Sequence, residues 1–145
     1  GVQDIAPELL APMGVITTEK PDKRAQQDID IASHILRTMG GLDVGQGAIV
    51  QQGLVLGIEA IEGTDALISR CCELRKKGDG GVLVKLKKPA QDARIDLPTI
   101  GVKTVENAHR SGLRGIALEA GGGLIVHREA MIEKANELGL FVVGV

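Results

Sequence analysis

The sequence predicts an α/β domain, with a largely parallel or mixed sheet flanked by helices in a single domain. Three observations lead there. Phe141 is the only aromatic residue among 145, so Val, Ile, Leu and Ala must fill the core, and these suit strands buried between helices. Twenty glycines are too many for a helical bundle and mark repeated strand-to-helix turns. The order helix, Gly-Leu, strand also occurs twice, at Gly112-Leu113 and at Gly139-Leu140, as expected of parallel strands joined by crossover helices. A chain of this length buries roughly 68–70% of its unfolded surface, enough for one independent core.

Taken in order, Gly1 to Pro21 carries three prolines and little periodicity. It reads as a linker entered from an upstream N-terminal domain, which leaves 22–145 as the domain itself. Asp22 to Met39 places Ala25, Ile29, Ala32, Ile35, Leu36 and Met39 on one helical face, stopped by Gly40-Gly41. Ala48 to Ile61 is Val/Ile/Leu-rich and broken by Gly53 and Gly57, which suits two short strands or one long bent one. Thr64 is the expected N-cap of a helix over Asp65 to Lys77 that turns Leu67, Ile68, Cys71 and Leu74 inward. Gly81 to Leu86 is a strand, and a helix is expected from Val102 to Ser111. Gly115 to Leu118 is a strand, Arg128 to Leu138 a helix, and Phe141 to Val145 the last strand.

A net charge of −2 with acids and bases interspersed argues against a nucleic-acid partner, and the lack of aromatics removes base-stacking platforms. No apolar run approaches the ~20 residues of a membrane span. Cys71 and Cys72 are adjacent on a helix, with side chains about 100° apart, so neither a mutual disulfide nor a shared metal is expected. A reducing cytoplasm fits. His34, His109 and His127 show no zinc spacing, and there is no GxSxG elbow for a nucleophilic serine.

Three segments carry candidate chemistry. Lys85 to Pro98 holds three lysines, one arginine, one glutamine and two aspartates within fourteen residues, after a buried strand, where ligands of open α/β sheets collect. Lys85, Lys87, Lys88 and Arg94 suit phosphate oxygens, and a carboxylate among them suits Mg²⁺ or an attacking water. A solvated surface loop is the alternative. Glu59 to Asp65 joins a strand to a helix start, where Thr64 and the first amides suit phosphate; Glu59 and Glu62 are either metal ligands or partners of nearby amides. A bland helix cap explains Thr64-Asp65 equally. Glu119-Ala120-Gly121-Gly122-Gly123 lacks any standard nucleotide motif; the amides of Gly121 and Gly122 either face an anion or simply make a turn.

Gly47-Ala48-Ile49-Val50, Gly57 through Asp65, Lys87-Lys88-Pro89 through Gln91-Asp92, Arg94, Asp96 through Gly101 and the Glu119-Ala120-Gly121 turn together resemble one family over nearly the whole chain. It is the C-terminal domain of the UDP-2,3-diacylglucosamine pyrophosphatases of lipid A biosynthesis, of the type without a calcineurin-like metal centre. The resemblance implies Mg²⁺-assisted hydrolysis of the substrate to UMP and 2,3-diacylglucosamine 1-phosphate. It implies a ligand held between this domain and an N-terminal one. It also implies an essential aspartate at Asp92, with Gln91 beside it. On that reading Asp92, Glu59 and Glu62 are the expected metal ligands. Lys85, Lys87, Lys88, Gln91, Arg94, Thr64, Gly121 and Gly122 are the expected phosphate contacts. A homodimer, a lipid-linked UDP-sugar substrate and peripheral contact with the inner membrane of a Gram-negative cell are the accompanying expectations. The competing class is a non-catalytic sugar-phosphate or nucleotide-binding or dimerisation module.

Overall fold

The computed structural model describes residues 6–88 and 97–145. Its elements are β1 (Gly14–Val15), α1 (Lys23–Met39), β2 (Gly47–Gln51), β3 (Leu54–Ile58), α2 (Thr64–Cys72), β4 (Val82–Lys85), β5 (Thr99–Ile100), α3 (Val102–Arg110), β6 (Gly115–Leu118), β7 (Leu124–Ile125), α4 (Arg128–Leu138) and β8 (Phe141–Gly144). Six strands form one sheet in the order β1-β8-β6-β4-β2-β3, and β5 and β7 pair separately. The sheet is mixed. Its centre, β4-β6-β8, is parallel, while β2 and β3 form a hairpin antiparallel to β4 and β1 runs antiparallel to β8.

Side chains alternate across the pleat, and both faces are covered. Ala25, Ile29, Ala32 and Leu36 of α1 pack on Ala48, Val50, Val82, Val84 and Phe141. Helices α2, α3 and α4 pack on the other face, over Ile49, Leu83, Ile116, Leu118 and Val142. Every residue of β4 is buried, Lys85 included. The alternation sets Lys85 on the Leu83 side, beneath α2 and α3. Asp22 caps α1, its carboxylate accepting the Ala25 N–H at 2.8 Å.

Three expectations need adjustment. Within the stretch read as a linker, Gly14–Val15 form β1, and Ala11 and Ile16 join the core; a strand of only two residues leaves no periodicity to read. Helix α2 stops at Cys72 rather than Lys77, and Leu74 is 52% exposed rather than inward. Beyond the helix, the Gln51 side chain ties down the following loop, accepting the Lys76 N–H at 2.7 Å and donating to the carbonyls of Lys76 and Asp79. Thr64 is the first helical residue rather than the N-cap, a place taken by Gly63 at φ 89°. No helix among the described residues is long and apolar enough to cross a membrane.

Candidate active site

The parallel strands bring their carboxyl ends to one edge. In register, Lys85 lies beside Leu118 on one side and Gly47 on the other, and Leu118 lies beside Gly144. Onto this edge come the 59–63 turn leading into α2, the 119–123 turn after β6, and Thr99–Gly101 leading into α3. Crevices at the carboxyl ends of parallel strands are where open α/β sheets bind ligands.

Lys85 is only 6% exposed, and its Nζ donates to the Thr99 carbonyl at 3.0 Å. Burial pushes its pKa down, and the carboxylates of Glu59 and Asp65 oppose that shift. A cation held in this way is electrostatically strong, because little water screens it. Glu59 is 7% exposed and fully engaged: Oε1 accepts the Gln46 N–H at 2.9 Å and Oε2 accepts the Thr64 hydroxyl at 2.8 Å. Gly63 brings no side-chain cap, so the first amides of α2 keep the partial positive charge of a helix start.

The other expected residues divide sharply. Glu62 turns away to Arg70, whose Nε and Nη2 reach its Oε1 at 3.0 and 2.8 Å, while Oε2 accepts the Ala60 N–H at 3.2 Å. The hydrogen bond from Arg70 holds the Glu62 pKa below the usual carboxylate range. The amides expected to face an anion are used within the fold: Gly121 N–H reaches the Ala11 carbonyl at 2.8 Å and Gly122 N–H the Glu119 carbonyl at 3.1 Å. The turn reading of these two glycines therefore replaces the anion reading. Half-buried Lys88 meets exposed Asp43, Nζ to Oδ1, at 2.7 Å, and the Lys87 N–H is held by Glu119 Oε1 at 3.1 Å. Gln91, Asp92 and Arg94 lie outside the described residues.

For a metal, the donor chemistry is decisive. Among the described residues no three of His, Cys, Asp and Glu converge on one point, and Glu59 and Glu62 each accept hydrogen bonds from donors in the protein. The described part of the edge thus brings together a buried ammonium and a helix start with no side-chain cap, a setting that suits an anion. Glu119 received no role from sequence reasoning. It had a visible signal, since it directly follows an apolar strand just as Glu59 does.

The family described as "LpxI C-terminal domain" matches residues 12–143. The UDP-2,3-diacylglucosamine pyrophosphatase LpxI of Caulobacter vibrioides is 47% identical over 151 aligned residues. That alignment covers 100% of this chain and 54% of the relative, so the chain spans about half the relative's length. With a match from Pro12 to Val143 and this identity throughout, the chain belongs to the LpxI C-terminal domain family.

Proposed function

We propose that the protein containing this chain hydrolyses the pyrophosphate bond of UDP-2,3-diacylglucosamine, giving UMP and 2,3-diacylglucosamine 1-phosphate in lipid A biosynthesis. The observation that carries the proposal is the 47% identity, over the whole chain, to a relative of that name. The geometry supports it, because a pyrophosphate is a dense anion and the buried Lys85 ammonium lies below the opening turn of α2. In the reaction, water forms a new P–O bond, the bridging P–O bond breaks and the protons pass to solvent. Lys85, the α2 amides, Lys87 and Lys88 stabilise the charge that builds on the phosphate oxygens. Arg94 and Gln91 join them on chemical grounds.

Asp92 is assigned to hold Mg²⁺ or to orient the water; when bound, Mg²⁺ would neutralise phosphate oxygens, and it commonly takes one or two carboxylates together with substrate phosphates. Glu59 could join it while its oxygens keep the Gln46 and Thr64 hydrogen bonds, as metal-ligating carboxylates commonly do. The setting proposed is cytoplasmic, with peripheral contact at the inner membrane to reach the acyl chains. A homodimer and an N-terminal domain of the same chain complete the site.

The test is UMP release from UDP-2,3-diacylglucosamine by the full-length protein, with and without Mg²⁺, compared with its Asp92→Ala variant. The expected result is metal-dependent turnover that falls at least about 10²-fold in the variant. A folded full-length protein that binds the substrate but never turns it over would instead support a binding module.

A further inference from the structure

The turn after β6 contains an arrangement that the reaction does not obviously need. Glu119 leaves the end of a buried strand beside Lys85, its own N–H donating to the Lys85 carbonyl at 3.1 Å. Its carboxylate then folds back: Oε1 accepts the Lys87 N–H at 3.1 Å. Oε2 lies where a side chain on residue 122 would begin, since a Cβ on Gly122 would sit 2.4 Å from it. Gly122 is also buried, and its φ is not in the left-handed region, so backbone freedom does not explain a glycine there. Space for the Glu119 carboxylate does.

We propose that Glu119 is a positioning residue: by holding the Lys87 N–H it fixes the main chain that carries Lys87 and Lys88, and Gly122 is glycine so that the carboxylate can lie there. This rests on the reading of those lysines as phosphate contacts. The role needs a hydrogen-bond acceptor and not a negative charge, which separates it from a metal ligand or a general base. Gln at position 119 keeps an acceptor oxygen of the same reach, whereas Ala removes it. Ala at position 122 pushes the carboxylate aside while leaving Glu119 in the sequence.

The experiment compares Glu119→Gln, Glu119→Ala and Gly122→Ala in the full-length protein. It measures kcat/KM for UDP-2,3-diacylglucosamine, hydrogen exchange at the Lys87 amide, and the urea midpoint. Expected are kcat/KM within about threefold of wild type for Glu119→Gln and a loss of about 10²-fold for Glu119→Ala, as a misplaced contact produces. The loss for Gly122→Ala should be smaller, because there the carboxylate has only to shift. Lys87 exchange should accelerate in the alanine variants only. A Glu119→Gln protein as impaired as Glu119→Ala overturns the proposal in favour of a charged role. Unchanged activity or unchanged Lys87 protection in Glu119→Ala overturns it outright, and a wild-type Gly122→Ala protein removes Gly122 from it. If the wild-type protein releases no UMP, the functional reading fails by itself. Lys87 exchange across the three variants, with the urea midpoint reporting folding, then still decides whether Glu119 holds this main chain.

Discussion

The two ends of the parallel strands bury polar groups to opposite purposes. At the amino end, Asp28 is 1% exposed, and its two oxygens accept the N–H groups of Gln52 and Gly53 at 2.9 and 2.8 Å. This fixes a hairpin turn whose two residues both sit at positive φ. Nearby, Gln51 is also 1% exposed and ties down Lys76 and Asp79 through three bonds to main chain. There the buried polar atoms close loops. At the carboxyl end, Lys85 is almost as deeply buried, yet among the described residues its hydrogen-bond partner is one carbonyl, that of Thr99. A buried ammonium is costly, and a loop closure alone would be made more cheaply by an amide, as Gln51 does it. Depth of burial is the same at both ends; what differs is whether a charge remains to act on something outside the fold.

The largest effect should come from breaking that difference at Lys85. Lys85→Met keeps the volume of the stem and removes the cation, so kcat/KM for UMP release should fall about 10²- to 10³-fold. Stability should change by less than about 1.5 kcal/mol, since a desolvated charge is exchanged for a similar apolar chain. Steady-state kinetics and urea denaturation of the same protein check both halves. A large loss of stability with normal turnover of the folded fraction would place Lys85 with the loop-closing residues instead.

Asp28→Ala should show the reverse pattern. Two turn amides lose their acceptors together, and the expected cost is about 2–3 kcal/mol in urea unfolding. Turnover per folded molecule should stay at the wild-type value. A variant that unfolds normally but loses activity would show that the amino end also reports to the site, and the contrast between the two ends would collapse.

How far each end could be read from sequence follows from how local its causes are. Most of the core face of α1 was legible: of the six residues read on it, Ala25, Ile29, Ala32 and Leu36 are buried, while Ile35 and Met39 near its end are only half-buried. The early end of α2 was not. The side chain that holds the loop after it, Gln51, lies 25 residues upstream of Lys76, and no window along the helix contains that information. The β2–β3 hairpin was half legible, because Gly53 suggested a break while Gln52 at φ 50° depends on the buried Asp28 carboxylate for its support. At the carboxyl end, Lys85 reads with Lys87, Lys88 and Arg94 as one basic loop, and its burial was not visible. The division of labour among the acids was invisible, since Glu59, Glu62 and Glu119 look alike in sequence. Their roles are set by Thr64 and Gln46, by Arg70, and by Lys87.

Glu62 offers the smallest and sharpest check on that division. Its pKa is lowered chiefly by the hydrogen bond from Arg70, on an exposed surface where an ion pair contributes little. A carboxylate whose folded pKa lies below its unfolded value of 4.5 adds stability at pH values above 4.5, and that increment disappears as pH falls through the folded pKa. The gap in urea midpoint between wild type and Glu62→Gln should therefore be small at pH 7, narrow in acid and vanish once Glu62 is protonated in both states. It should also shrink at high salt. Activity should be untouched, because Arg70 and not the substrate holds this carboxylate. A Glu62→Gln protein with normal midpoints but weakened Mg²⁺ dependence would reverse the assignment: it would bring Glu62 into the site and show that the Arg70 pairing gives way when the metal binds.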